Sequence, residues 1–305
     1  MRRGRRFPRG AYKMIEFARR GMRGELSTLW QAAFHDPARI PRHFLNSGVS
    51  PRDCAVYRVG GRVVSAVYLL PAQILAGERR LQAQYVFAAA TLPEYRSRGY
   101  MSSLLAFAAL TGARRGDCFS AVVPSGEDLF GFYAKLGYAD FFTVRMLSVP
   151  AARMRRAAEG ARYAGRALAR PGELNALRGA CLRGCGGSLL WSDRMFYAAC
   201  GMSGVYGDRL VCARGGGGLG YALCRREGDA CLVLELMADE AALPALAAAL
   251  LREMPAGRYR LRLPAGCGPF PGEGETARFG MIKPLGGALP GDAQPHFPYL
   301  GLAMD

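Results

Sequence analysis

Two stretches of the chain, 140 residues apart, carry the same signals in the same order. AVVPSG (121–126) is echoed by RLRLPAG (260–266), and KLGY (135–138) is echoed by RFGM (278–281). Pro124 lies 25 residues after Gly99, and Pro264 lies 25 residues after Asp239. A period of about 140 residues is too long for a solenoid unit and suits a duplicated domain. The length of 305 residues, about twice a typical domain, agrees. The expected division is a first domain at 14–150 and a second at 151–305, with 1–13 as a basic, disordered extension.

Within each half the apolar pattern alternates between strand and helix periods, which predicts an α/β fold on a mixed sheet. In the first half, strands are expected at 14–17, 54–59, 62–70, 81–91, 119–123 and 141–149. Gly60-Gly61 suits a tight hairpin, because both positions need positive φ. Helices are expected at 24–34, after Gly99, and at 128–136, the last closed by Gly137. Residues 148–173 read as a solvated, arginine-bearing linking helix that Pro171-Gly172 stops. Strands follow at 208–214, 219–226, 231–236 and 259–263, with a helix at 240–254.

The formal charge of +17 invites a nucleic-acid reading. However, 38 of the 41 basic residues are arginine, and alanine and glycine are abundant. That skew reads as genomic composition, and the field suits an anionic cofactor equally well. The nine cysteines form no C-x-x-C pair, and there are only three histidines. No metal site is expected; Cys181 and Cys185 read as packing residues, and reduced thiols imply a cytoplasmic protein. The basic start lacks the apolar stretch of a secretory signal, and no apolar run is long enough to span a bilayer.

The most informative stretch is YVFAAATLPEYRSRGYMSSLL (85–105). A strand feeds a helix through a corner holding Arg96, Arg98 and Gly99. A helix start leaves backbone N–H groups unpaired and carries partial positive charge, which makes an anion site. Two arginines add charge-assisted donors. The corner therefore reads as a cradle for a diphosphate.

LPEYRSRGYMSSLL resembles the R-x-x-G-x-G/A signature of the GCN5-related N-acetyltransferases, the GNAT superfamily. Arg96, Gly99 and Met101 fill its fixed positions, and Met101 departs from the usual small final residue. LFGFYAKLGYADFF (129–142) resembles the family's second signature, a short helix ending in Y-x-x-L-G-F. The layout resembles the two-domain acetyltransferases related to the enhanced-intracellular-survival type, with a degenerate second domain. Where the second cradle should be stands LELMADEAAL (234–243), which has neither arginine nor glycine and offers Asp239 and Glu240 instead.

The resemblance implies transfer of an acetyl group from acetyl-CoA to an amine on a small molecule or peptide, with no metal. Ala89, Ala90 and Thr91 would present backbone groups to the pantetheine arm. Arg96, Ser97, Arg98, Gly99, Tyr100, Met101 and Ser102 would hold the diphosphate, and Tyr133 would protonate the departing thiolate. In such relatives the chain's own terminal carboxylate serves as base. Here the apolar segment 298–305 would dock into the sheet and bring Asp305 to Tyr133, with Glu127 or water as rivals. The other readings open at this point are a non-enzymatic CoA-binding scaffold and an RNA-associated protein; the oligomeric state is open.

Overall fold

A computed structural model describes residues 12–161, 169–286 and 297–304. Its first half runs β1 (Lys13–Phe17), α1 (Arg23–Phe34), α2 (Arg39–Asn46), β2 (Cys54–Val59), β3 (Arg62–Ala76), β4 (Arg79–Thr91), α3 (Tyr100–Arg115), β5 (Phe119–Val122), α4 (Glu127–Ala134) and β6 (Ala139–Pro150). The second half runs α5 (Ala151–Ala157), α6 (Pro171–Cys181), β7 (Leu189–Leu190), α7 (Asp193–Tyr206), β8 (Arg209–Gly215), β9 (Gly218–Glu227), β10 (Ala230–Ala238), α8 (Leu243–Glu253), β11 (Arg258–Leu263) and β12 (Glu275–Pro284). The Gly60-Gly61 hairpin has positive φ at both residues, 57° and 83°.

All but β7 lie on one continuous path, β1-β2-β3-β4-β5-β12-β6-β11-β10-β9-β8. β4 and β5 are parallel, as are β10 and β11. The two halves exchange strands reciprocally. β12 of the second half pairs antiparallel with β5, and β6 of the first half pairs antiparallel with β11. β6 and β12 then pair with each other at the centre.

Period-2 alternation divides the core. On β3, Ala66, Tyr68 and Leu70 join the largest buried cluster, built on α1, α2, α6, α7 and residues 299–304. Val67 and Leu69 point the other way, to a cluster under α3 and α4. A third cluster lies around α5 and α8. The principal core therefore belongs to both halves.

Several expectations are corrected. Pro171 begins α6 rather than stopping a helix, because its missing N–H costs nothing in the first helical turn. Residues 148–173 are not one helix: β6 continues to Pro150 and α5 ends at Ala157. Arg162 and Arg166 lie outside the described residues. RFGM is part of β12, not the end of a short helix like KLGY. β1 begins at Lys13, inside the segment read as an extension, and residues 1–11 are outside the described residues. The spans of α2, α7 and β12 were not anticipated.

The loop 264–274 is arranged around one side chain. Arg145 lies on β6 where that strand is flanked by Leu263 of β11 and Thr276 of β12. Its guanidinium donates to five backbone carbonyls: Phe270 and Glu273 at 2.7 Å, Pro269 at 3.0 Å, Cys267 at 3.3 Å and Pro264 at 3.5 Å. Arg145 is 5% exposed, so these carbonyls would be left poorly solvated without it. Arg145→Met should lower unfolding stability by ~3 kcal/mol or more in urea titration and open 264–274 to proteolysis. A change under ~0.5 kcal/mol would show that the loop holds itself.

Candidate functional site

β4 and β5 pair only from Ala83↔Phe119 to Val86↔Val122. Beyond Val86, β4 continues to Thr91 alongside β3, whereas β5 has ended. The two strands part there, and among the described residues the edge of β4 that faces β5 has no strand partner beyond Val86. Just past the parting, β4 bulges. Ala66 pairs with Ala90 and Tyr68 with Phe87, so Val67 alone faces Ala88 and Ala89. Ala88 adopts φ +45°, a left-handed conformation that an L-residue holds only when its surroundings impose it.

A cavity of about 780 Å³ opens at the parting. Residues 85–89 of β4 and 122–127 after β5 form its inner wall. Tyr133 of α4 lines it as well, at 6% exposure, packed edge-on against Tyr138 with centroids 5.5 Å apart. Burial, and then the neighbouring Tyr138, raise the Tyr133 hydroxyl well above the usual phenol value. Ala89 lines the cavity; Ala90 and Thr91 do not, and pair with Ala66 and Ser65 of β3.

The cationic corner lies outside this cavity, on the surface at the end of β4. Leu92 and Tyr95 are buried and pin the turn, while residues 96–99 are exposed. Arg96 Nε donates to the Thr91 carbonyl at 3.2 Å, and Arg98 Nη2 to the Glu94 carbonyl at 2.8 Å. The Arg98 guanidinium also sits 5.4 Å from the Tyr95 ring centroid. Ser97 and Gly99 both have positive φ, 59° and 77°. Gly99 caps α3 without any side-chain hydrogen bond, so among the described residues the first-turn amides have neither an intrahelical acceptor nor a capping side chain. The Tyr100 ring is buried between Tyr57 and Tyr95, at 4.5 and 6.3 Å, and Met101 packs toward the sheet. These two residues thus bring backbone rather than side chain to the corner.

Residues 297–304 run beside the cavity and reach it at their end. Pro298, Tyr299, Gly301, Leu302 and Ala303 each accept a hydrogen bond at the backbone carbonyl, from the Thr143 amide, the Leu189 amide, Arg262, Trp191 Nε1 and the Tyr85 hydroxyl, at 2.8–3.0 Å. Ala303 and Met304 line the cavity with Tyr133. Asp305 follows Met304 in the chain and lies outside the described residues. Glu127 stands exposed at the rim, ion-paired with Arg278.

Sequence reasoning missed the outer wall: Trp30, Phe34 and Asp36 after α1, Tyr206 of α7, and Arg278 and Phe279 of β12. Asp36 was detectable in principle, since Asp-Pro directly after an amphipathic helix marks a turn. Its meeting with Tyr206, 170 residues on, was not.

The second half repeats the frame and closes it. β10 bulges at Leu234, between Val233 and Glu235, just where β10 leaves β11. Glu235 is fully buried, accepting from the Tyr221 hydroxyl at 2.6 Å and from Arg178 Nε at 3.1 Å. The Asp239 carboxylate occupies the corner and accepts from the Leu219 amide at 2.9 Å. The cavity nearby is apolar and of about 40 Å³. Cys185 Sγ and Cys267 Sγ approach to 3.5 Å, and no cluster of three metal-ligating side chains exists among the described residues. Nor, among them, is any helix long and apolar enough to cross a membrane.

Residues 19–140 match the family model described as an acetyltransferase (GNAT) domain. No curated protein sequence matches the chain. Among solved structures, the chain is similar to a GCN5-related N-acetyltransferase from Kribbella flavida (18% identity, TM-score 0.66, covering 89% of this chain and 71% of that one). It is similar also to one from Anabaena variabilis (12%, TM-score 0.69, 90% and 73%) and to Eis1 from Mycobacterium abscessus (16%, TM-score 0.65, 90% and 74%). The mixed sheet of two tandem halves is thus the fold of these acetyltransferases.

Relieving the strained bulge should be measurable. Ala88→Gly should raise stability by about 0.5–1 kcal/mol in urea titration, because glycine accepts positive φ without the Cβ clash. Destabilisation would mean that the Ala88 methyl contributes more by packing than its backbone costs.

Proposed function

We propose that this chain, whose residues 19–140 match the family model of an acetyltransferase (GNAT) domain, transfers an acetyl group from acetyl-CoA to an amine. The observation that carries the reading is the parting of β4 from β5 at a bulge, between a cavity holding Tyr133 and a helix start left uncapped beside two arginines. A single elongated ligand with a diphosphate at one end and a thioester at the other fits that layout. The pantetheine arm would lie along the free edge of β4 beyond Val86, pairing with the backbone as an added strand. The diphosphate would rest on the amides of residues 99–102, with Arg96 and Arg98 alongside.

The chemistry then follows from the wall. The acceptor amine, deprotonated, attacks the thioester carbon while an amide at the Ala88–Ala89 bulge donates to the developing oxyanion. The C–S bond breaks, the C–N bond remains, and the Tyr133 hydroxyl hydrogen-bonds the departing thiolate and passes it a proton, which the phenol regains from solvent as the products leave. Burial keeps that hydroxyl protonated across the pH range in which amines lose their proton. The proton leaving the amine goes to the base, which we assign to Asp305, next to the cavity-lining Met304. Glu127 is less suited, because Arg278 holds its carboxylate at the rim.

Calorimetry with acetyl-CoA and thiol release across a panel of amines test the reading. Tyr133→Phe should reduce kcat by ~10²-fold with the acetyl-CoA Kd unchanged, whereas Arg96→Ala combined with Arg98→Ala should weaken binding. Deleting Asp305 should lower kcat by at least ~10-fold with little change in Kd. The rate of the intact protein should climb with pH as the acceptor ammonium deprotonates, with no downturn from Tyr133 below about pH 10. Binding of acetyl-CoA with no turnover on any amine would replace the enzyme reading with a scaffold.

A further inference from the structure

The outer wall of the cavity says what kind of amine fits. Four charged residues line it: Asp36, Glu127, Arg225 and Arg278. Three are matched. Arg225 donates to both oxygens of Asp208, at 2.7 and 2.9 Å. Arg278 pairs with Glu127 and with Asp140, at 3.3 Å for the latter, and lies 4.2 Å over the Phe130 ring. Asp36 is different. Its Oδ2 accepts from two neutral donors, Trp30 Nε1 at 2.8 Å and the Tyr206 hydroxyl at 2.7 Å. Among the described residues Oδ1 accepts no hydrogen bond, and no cation lies within ion-pair distance of the group.

Local structure fixes this carboxylate. His35 closes α1 in a left-handed conformation, φ +60°, with its amide on the Gln31 carbonyl. The turn brings Asp36 back onto Trp30, six residues earlier. The Trp30 ring then lies 5.9 Å from Phe87, the residue beside the bulge. From the bulge outward a ligand therefore meets an aromatic wall and, at its end, a half-exposed carboxylate with one oxygen open to a further donor.

We infer that the acceptor is a primary amine on an aromatic body with a hydrogen-bond donor at the end remote from the amine, and that Asp36 selects it by accepting from that donor. The inference rests on the acyl-transfer reading above. The amine sits at the bulge, where the acetyl group is delivered; the ring lies along Trp30 and Phe87; the distal donor meets Asp36. A polycation fits poorly, since one unmatched carboxylate is all the wall offers and two arginines stand on the same wall. A site built to accept from a substrate hydroxyl also disfavours the analogue lacking it, because its polar group is then left unpaired.

The test compares tyramine, phenethylamine and spermidine on wild type and Asp36→Asn. Asparagine keeps an oxygen for Trp30 and Tyr206 but turns a donor toward the ligand. In wild type, kcat/KM for tyramine should exceed that for phenethylamine by at least ~10-fold, with spermidine the poorest. In Asp36→Asn the tyramine advantage should vanish while phenethylamine stays within about threefold, a split that a merely structural Asp36 would not produce. Tyramine affinity in the presence of CoA, by calorimetry, should fall in parallel. Equal rates for tyramine and phenethylamine in wild type, a preference for spermidine, or a uniform loss in the variant would overturn the assignment of Asp36 while leaving acyl transfer standing. Absence of turnover on every amine would remove both.

Discussion

β6 holds the two halves of this protein together, and Arg145 is what lets it do so. A strand in mid-sheet must satisfy both edges, and β6 does this by pairing with β12 along its first part and β11 along its last. The chain leaving β11 must then cross over to return as β12. That crossing brings backbone carbonyls close to the sheet, where water cannot satisfy them all. A guanidinium has five N–H donors in a fixed plane, and here it meets five carbonyls. No lysine could reproduce that geometry. Burial lowers the Arg145 pKa from its ordinary value, yet the group remains a cation at any ordinary pH. The cavity depends on this crossing because β12 supplies Arg278 and Phe279 to its wall.

The same backbone device serves opposite ends in the two halves. Each has a parallel strand pair that parts at a bulge. At β4 the bulge residues are alanines, and the parting opens into a cavity. At β10 the residue after the bulge is Glu235, and Arg178 from α6 fills the space. Burying such a pair is costly unless its hydrogen bonds are well met. Tyr221 Oη, the Leu189 carbonyl and the two carboxylate oxygens meet most of them. Among the described residues Arg178 Nη2 and the Tyr299 hydroxyl have no partner, and both sit in the fully buried space beside this pair. Tyr299 belongs to the segment whose next residues wall the cavity, so the closed half acts as a socket that orients the open one.

What could be read in advance follows from the range of the interactions. The hairpin at Gly60-Gly61 and the helix that starts after Gly99 are written in a few adjacent residues, and they stand where expected. Pro171 misled because proline ends one helix and begins another by the same missing N–H, and local sequence does not say which. The echo RFGM misled because Gly280 serves β12 by close packing against Val122 and Phe142 rather than by ending a helix. The bulge at Ala88 carries no sequence mark at all: alanine does not announce positive φ, and β3 imposes it. Asp36 joins Tyr206 across 170 residues, and β6 joins β11 across more than 100, so neither pairing has a local signature.

The placement of Tyr133 shows why the cavity needs both halves. On α4 alone a phenol facing an open cleft would be wetted, and its pKa would stay near the ordinary value. Here α4 packs on β4, β5 and Tyr138, while Ala303 and Met304 form another wall of the same cavity. That segment is held at its carbonyls by Tyr85 and Thr143 of the first half and by Leu189, Trp191 and Arg262 of the second. Loosening either set would admit water beside the phenol and weaken any hydrogen bond it gives to a developing thiolate. The second half therefore reaches the surroundings of Tyr133 through the wall that Ala303 and Met304 contribute to the same cavity.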